Sequence, residues 1–345
     1  MSGYDASALN NPGTRLLVVG PNWLGDGIMA MPALQTLRER LHEEASITVA
    51  VKPGQADLWK MHPTPDKVLT LGGRNSEFPA NVKKLRAERF THALIIPHSF
   101  RSALSPTLAR IPLRRGTAGQ LRNLLMNDAV DLRPFAKHHQ QWEVAAILLP
   151  GPLPDQLPSP RLHPPESDRD QARAWLTEYP SPHLGLIPGA ARGPSKRWPG
   201  KRFLAVARAW IEHTGGSVTW LGTPEDLPLC QELSQSLPAD HSQVLAGKTR
   251  LTGFAAVLEA LDVVVANDSG GMHLAAAVGT PVVAIFGLTD PAKTGPLHKD
   301  AVVMQHAERV SRAIARDSEA ARAALAAISA EEVIERVLAI PGSSA

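Results

Sequence analysis

The sequence predicts an α/β protein made of two Rossmann-like halves, and three observations lead there. Short apolar runs alternate with helix-periodic segments along the chain, the rhythm of parallel βαβ units. The stretch Leu149–Pro165 (LPGPLPDQLPSPRLHPP) is crowded with proline, which blocks helix and ladder alike and reads as a linker. The alternation restarts after it, and 345 residues are more than one core of ordinary size holds.

In the first half, Arg15–Val19 (RLLVV) reads as a buried strand. Gly27–Leu41 follows as a helix with Met31, Leu34, Leu37 and Leu41 on one stripe. Ile47–Val51, Val68–Leu71 and Ala93–Pro97 are three further strands, with helices over Glu77–Arg89 and Ser99–Ala109. The second half opens with a short helix at Asp168–Glu178. Strands are expected at Leu184–Ile187, Ser217–Leu221, Val244–Ala246, Asp262–Ala266, Pro281–Phe286 and Ala301–Met304. Helices are expected at Phe203–His213, Gln231–Leu237, Gly253–Leu261 and Gly270–Val278. Ser329-Ala-Glu-Glu332 is a capping-box pattern that opens a last helix through Val337.

The domain reading is therefore a Rossmann-like domain over 15–150, linker and short helix over 151–180, and a second Rossmann-like domain over 181–328. Residues 329–345 form a terminal helix that could pack back on the first domain. Ligands of such sheets bind in the crevice outside the carboxyl ends of the strands.

Composition excludes several classes. Hydrophobic residues at 43% and charged residues at 20% describe a globular chain, neither disordered nor fibrous. No apolar run approaches the roughly 18 residues of a membrane span, and the polar start MSGYDASALNNPGTR lacks a signal peptide's basic and apolar regions. A cytoplasmic protein is expected. Cys230 stands alone, so no internal disulfide forms, and it reads as a small buried side chain. The formal charge of +3 is too small to argue for nucleic acid, and no aromatic-basic RNA-binding pattern is present. Its sign suits a phosphorylated substrate or transient contact with an anionic membrane surface.

Three motifs stand at strand ends. Gly20-Pro-Asn22-Trp23-Leu-Gly25-Asp26-Gly27 follows the first strand. For Asp26 two readings are open: a helix N-cap, or a general base that takes a proton from an attacking hydroxyl. The glycines permit close approach of a ligand to backbone, but their spacing matches neither a dinucleotide fingerprint nor a Walker loop. Pro188–Pro199 (PGAARGPSKRWP) sets Ser195, Lys196 and Arg197 in a glycine-rich loop. That composition suits a pyrophosphate, with Lys196 as the point charge; the plain alternative is a solvated basic turn. In Asn267-Asp268-Ser269-Gly270-Gly271-Met272-His273, the helix start offers free amides to an anion. There Ser269 and Gly270 can donate to phosphate, Asp268 can grip sugar hydroxyls or cap the helix, and His273 follows one turn later.

Smaller signals are Glu225 and Asp226, placed for a ribose diol or a plain turn, and Thr289-Asp290, placed to close a nucleotide pocket. No strand-end Asp-x-Asp pair and no His/Cys cluster with ligand spacing occurs, so neither metal nor cofactor is expected.

Taken together, GPNWLGDGIMAMPAL, PGAARGPSKRWP and NDSGGMHLAAAVGTPVVAIFG resemble the ADP-heptose:lipopolysaccharide heptosyltransferase family, its type II branch most. Arg115-Gly-Thr…Arg122-Asn-Leu-Leu-Met-Asn127-Asp128 is similar to that family's acceptor-domain pattern. The matches run from Leu16 to Pro296. The resemblance implies a GT-B fold, two Rossmann-like domains facing each other across a cleft, and an inverting, metal-independent transfer of heptose. It implies Asp26 as base and Lys196 at the diphosphate. Gly25, Ser195, Asp268, Ser269, Gly270 and His273 would lie at the ADP-heptose donor, and Asn22, Trp23, Arg122 and Asn127 at a lipid-linked core oligosaccharide acceptor. Ala191 stands where the family is often acidic, and the Ala-rich Ala313–Ile328 replaces a cysteine- and basic-rich segment of many relatives. Residues 1–14 would extend beyond the family's usual start as a disordered tail. Two rival readings keep the donor motifs: a transferase acting on a protein or another glycan, and a non-catalytic nucleotide-sugar-binding protein.

Overall fold

The computed structural model describes residues 4–119, 121–191, 193–308 and 314–340. The chain divides between Leu162 and His163 into two compact units.

The first unit runs α1 (Ala6–Leu9), β1 (Arg15–Val19), α2 (Leu24–Arg40), β2 (Ser46–Val51), α3 (Ala56–Lys60) and β3 (Lys67–Thr70). It continues through α4 (Phe78–Ala87), β4 (His92–Ile95), α5 (Phe100–Leu108), β5 (Leu113–Thr117), β6 (Asp128–Val130) and α6 (Gln140–Leu148). Its six strands lie in the order β3-β2-β1-β4-β5-β6, all parallel. Leu16, Leu17 and Val18 of the central β1 are fully buried, because a parallel sheet is covered by helices on both faces.

The second unit runs α7 (Glu166–Thr177), β7 (His183–Ile187), α8 (Gly200–Thr214), β8 (Ser217–Trp220), α9 (Leu227–Ser234), β9 (Ser242–Val244) and α10 (Leu251–Glu259). Then come β10 (Val263–Asn267), α11 (Gly270–Val278), β11 (Val282–Ile285), α12 (Pro291–Thr294), β12 (Val302–Met304), α13 (Glu319–Ala327) and α14 (Ala330–Leu338). The order β12-β11-β10-β7-β8-β9 is the same winding as in the first sheet, again wholly parallel. In each unit the strand order reverses beside the first strand, at β1/β4 and at β7/β10, and ligands of such sheets bind there.

The structure corrects the sequence reading in four places. Residues 4–14 are ordered: Tyr4 is 3% exposed, its hydroxyl donates to Leu148 O at 2.7 Å, and the Arg115 guanidinium stacks on its ring. Asp5 caps α1 by accepting from the Ser7 and Ala8 amides. The second unit begins inside the expected linker, since α7 is tied to α10 by a bidentate Arg169–Glu259 pair at 2.6 and 2.8 Å. The terminal helix α14 packs within its own unit, where Val333, Val337 and Ile340 join Trp198, Phe203 and Trp210 in one core. Its capping box forms as read, with Ser329 and Glu332 exchanging bonds. Finally, β5, β6, α3 and α6 are elements the sequence reading lacks. Ala313 and part of the terminal 329–345 segment lie outside the described residues. Cys230 is fully buried, and burial, with the Asp226 charge beyond it, pushes its thiol up to about 12.

Candidate functional site

At the switch point of the second unit, the loop after β7 and the start of α11 meet. Asn267, fully buried at the end of β10, binds them together. Its Oδ1 accepts from the Trp198 amide at 2.9 Å, and its Nδ2 donates to Pro188 O at 2.8 Å. Gly193 turns the β7 loop at φ +88°, a conformation that favours glycine, and sets up the helical turn Pro194–Lys196. Lys196 then reaches Asp268: its Nζ donates to Asp268 Oδ2. The same oxygen accepts the Thr289 hydroxyl at 2.6 Å, so one carboxylate joins the loops after β7, β10 and β11. Both side chains of the ion pair are largely buried, 14% and 8% exposed. The Thr289 loop is itself held by Gln305 Nε2, which donates to Gly287 O at 2.7 Å and Thr289 O at 2.8 Å.

Ser269 is the N-cap of α11, yet its side chain makes no capping bond. Its hydroxyl is buried and has no hydrogen-bond partner among the described residues. The first amides of a nine-residue helix and an orphaned hydroxyl thus share one place, the composition of an anion site. Gly270 opens the helix, and a Cβ at Gly271 would stand 2.8 Å from Ile187 Cδ1, so α11 lies close on β7. His273, 5% exposed, follows on α11.

Two expected donor residues have other tasks. Ser195 is 2% exposed; its hydroxyl donates to Ala315 O and accepts from the Ser318 amide, both at 2.7 Å. Its one proton is taken by Ala315 O, and it straps the Lys196 turn to the segment before α13. Asp226 is 6% exposed and accepts from the Thr223 amide at 3.0 Å and hydroxyl at 2.8 Å. Its carboxyl lies so close to Gly189 that a Cβ there would meet it at 2.2 Å. The turn reading is the one realised for Asp226. Glu225 is exposed, its own backbone amide holding its carboxyl below the usual range. Arg192 lies outside the described residues.

In the first unit, α2 begins three residues earlier than its periodicity suggested, at Leu24. Trp23 is therefore the N-cap, and Asp26 sits in the first turn, where the helix dipole favours a negative charge. Asp26 is half-buried and Gln140 Nε2 donates to its Oδ1 at 3.3 Å. Gly27 is there for packing: a Cβ would meet Leu58 Cδ2 at 2.8 Å. Gly25 is the second residue of α2, and Asn22 and Trp23 are exposed before it.

Arg122 is fully buried. One guanidinium nitrogen donates to Pro97 O at 2.9 Å and Thr117 Oγ1 at 3.0 Å. Its Nε and Nη2 have no partner among the described residues. Burial lowers its pKa. Thr117 also lines a cavity of about 570 Å³ with His98, Val130, Asp131 and Arg133. Burial, then the Arg122 charge, lowers the His98 pKa against the opposing pull of Glu143, so that imidazole favours the neutral form. Asn127, expected at the acceptor, instead ties down β5: it accepts from the Arg114 amide and donates to Pro112 O, both at 2.7 Å.

Sequence reasoning gave no task to Asn267, Gln305, Gln140, His98 or Thr117. Asn267 and Thr117 stand inside motifs that were read, so position could have found them; Gln140 opens α6, whose apolar run Val144–Leu148 went unread. Among the described residues no three His, Cys, Asp or Glu side chains are placed to hold a metal, and no helix is long and apolar enough to cross a membrane.

Two parallel sheets of one winding, together with the structural match given below, place the chain in the GT-B class of glycosyltransferases. The model of glycosyltransferase family 9 (heptosyltransferase) matches residues 80–322, and the chain belongs to that family. It is 31% identical to lipooligosaccharide heptosyltransferase 2 of Haemophilus ducreyi over 310 residues, covering 84% of this chain and 88% of that protein. Against lipopolysaccharide heptosyltransferase 2 of Escherichia coli the identity is 31% over 306 residues, covering 84% and 87%. The solved structure of E. coli ADP-heptose LPS heptosyltransferase II superposes with a TM-score of 0.82 at 29% identity, covering 95% of this chain and 98% of that one.

Proposed function

We propose that this glycosyltransferase moves heptose from ADP-heptose onto a heptose-bearing, lipid-linked inner core of lipopolysaccharide, with inversion and without a metal. The observation that carries the donor side is the Lys196–Asp268–Thr289 knot beside the orphaned Ser269 hydroxyl. An ammonium has three donors and Asp268 takes one, which leaves two for a diphosphate. The Ser269 hydroxyl and the Gly270 amide complete an anion seat whose charge stabilisation matters most as ADP departs. Asp268 Oδ1, which has no partner among the described residues, is the oxygen open to a sugar hydroxyl. Glu225, exposed after β8, remains the candidate for the ribose.

On the acceptor side, Asp26 takes the proton of the attacking hydroxyl as it forms the bond to the anomeric carbon, and the C–O bond to ADP breaks on the opposite face. Gln140 orients the Asp26 carboxylate. Arg122 suits an anionic group of the acceptor, because a buried guanidinium with two idle nitrogens is costly unless something occupies them. Asn22 and Trp23, exposed beside Asp26, complete that side.

The reading is tested by running the transfer in a chelator and determining the new linkage by nuclear magnetic resonance. Full rate and an inverted anomeric centre are expected; a rate restored only by magnesium or manganese, or retention, overturns it.

A further inference from the structure

Between His98 and Gln140 the chain carries seven Arg and Lys residues against two Asp, although the whole protein exceeds neutrality by only +3. Both aspartates are already matched, Asp128 by Arg115 at 2.8 Å and Asp131 by Arg133 at 2.7 Å. Exposed cations such as Arg110 and Lys137 therefore face solvent with no acidic partner in the stretch. The same stretch shows four of the six large apolar side chains that stand exposed among the described residues: Phe100 at 41%, Leu108 at 44%, Leu121 at 75% and Leu124 at 82%.

These are not scattered. Thr107 Oγ1 donates to Leu125 O at 3.3 Å, so Leu108 and Leu124 flank one hydrogen bond between the end of α5 and the turn Arg122–Leu124. Leu125, Met126, Ala103 and Ala109 pack in one cluster beneath them. Leu121 holds a left-handed φ of 64°. Neither hydration nor backbone geometry favours a leucine in that place.

We propose that this face of the first unit docks on a bilayer surface bearing anionic phospholipids. Apolar tips that enter the headgroup boundary, bordered by cations that meet lipid phosphates, are what such a surface holds. Charge decides the occupant: with the buried Arg122 set aside and Arg115 and Arg133 matched to carboxylates, Arg101, Arg110, Arg114 and Lys137 remain as an unbalanced excess that matches a uniformly anionic sheet. The inference deepens the transferase reading, whose acceptor is lipid-linked, by naming the surface that brings the chain to it.

The test is flotation of the full chain with vesicles of phosphatidylcholine, with and without phosphatidylglycerol. Binding should require phosphatidylglycerol and fall as salt rises. Leu121→Asn with Leu124→Asn should weaken it by about tenfold or more, from lost apolar insertion. Arg110→Gln should weaken it by about fivefold, the effect of one cation near an anionic surface. Both variants should keep full rate on a deacylated, water-soluble acceptor, which also reports that they fold, and lose rate on acceptor embedded in vesicles. Wild-type protein that stays off anionic vesicles overturns the proposal. So does undiminished binding by the double variant, or a double variant that instead loses self-association in sedimentation, since a second copy would then cover the face. Absence of transfer to the deacylated acceptor would strike the transferase reading alone.

Discussion

Lys196 donates to Asp268, and the oxygen it bonds also accepts the Thr289 hydroxyl. One carboxylate thereby fixes a cation on the β7 loop against the start of α11 and the loop after β11. The cation is held in place before any ligand arrives, so little side-chain entropy remains to be lost on binding.

Lys196→Ala should weaken ADP binding by about 1–3 kcal/mol, the scale of a lost charge-assisted hydrogen bond. Titration calorimetry measures this. Undiminished affinity would move the diphosphate to another seat.

Asp26→Asn should keep the melting temperature and ADP affinity of the parent while lowering turnover by roughly two to four orders of magnitude, the range for a lost general base. Its first-turn position, away from the cap, leads to this expectation. Near-normal turnover would reduce Asp26 to a charge on the helix dipole.

Ser195→Ala should act on the fold first. It removes a buried hydroxyl with two partners and strands the Ser318 amide, at a cost of about 1–3 kcal/mol in stability. Denaturant unfolding should show that loss, with a smaller change in ADP affinity than Lys196→Ala produces. Unchanged stability with lost affinity would return Ser195 to the donor.

Much of this was legible in the residues. Apolar runs such as RLLVV and the span Asp262–Ala266 located central strands within a residue or two, because strands buried on both faces need apolar side chains throughout. β5 (LRRGT) and β6 (DAV) escaped because their burial is carried by polar pairing: Arg115 meets Asp128 at 2.8 Å and donates to Ile147 O at 3.0 Å. No periodicity announces such a strand. The site was legible as positions and less so as tasks. Ser195 and Asp226 stand in the right loops, but only coordinates show that Ala315, Ser318 and Thr223 take up their oxygens. The polar N-terminus concealed its anchor because Tyr4 finds partners 144 residues away, in Leu148, and on Arg115.

That anchor yields a further expectation. Tyr4→Ala removes a buried aromatic ring together with its hydrogen bond, and should destabilise the protein by about 3 kcal/mol or more. Thermal or denaturant unfolding reads this directly. An unchanged midpoint would restore the disordered-tail reading.

The central claim is heptosyl transfer, and mass spectrometry of one reaction tests it most directly. The protein is incubated with ADP-heptose and a truncated core lipid that already bears one heptose, beside a control lipid that bears none. The account predicts a gain of one heptose on the first lipid, none on the second, and loss of that gain in Asp26→Asn. No gain on the heptose-bearing lipid, or an equal gain with Asp26→Asn, would contradict it.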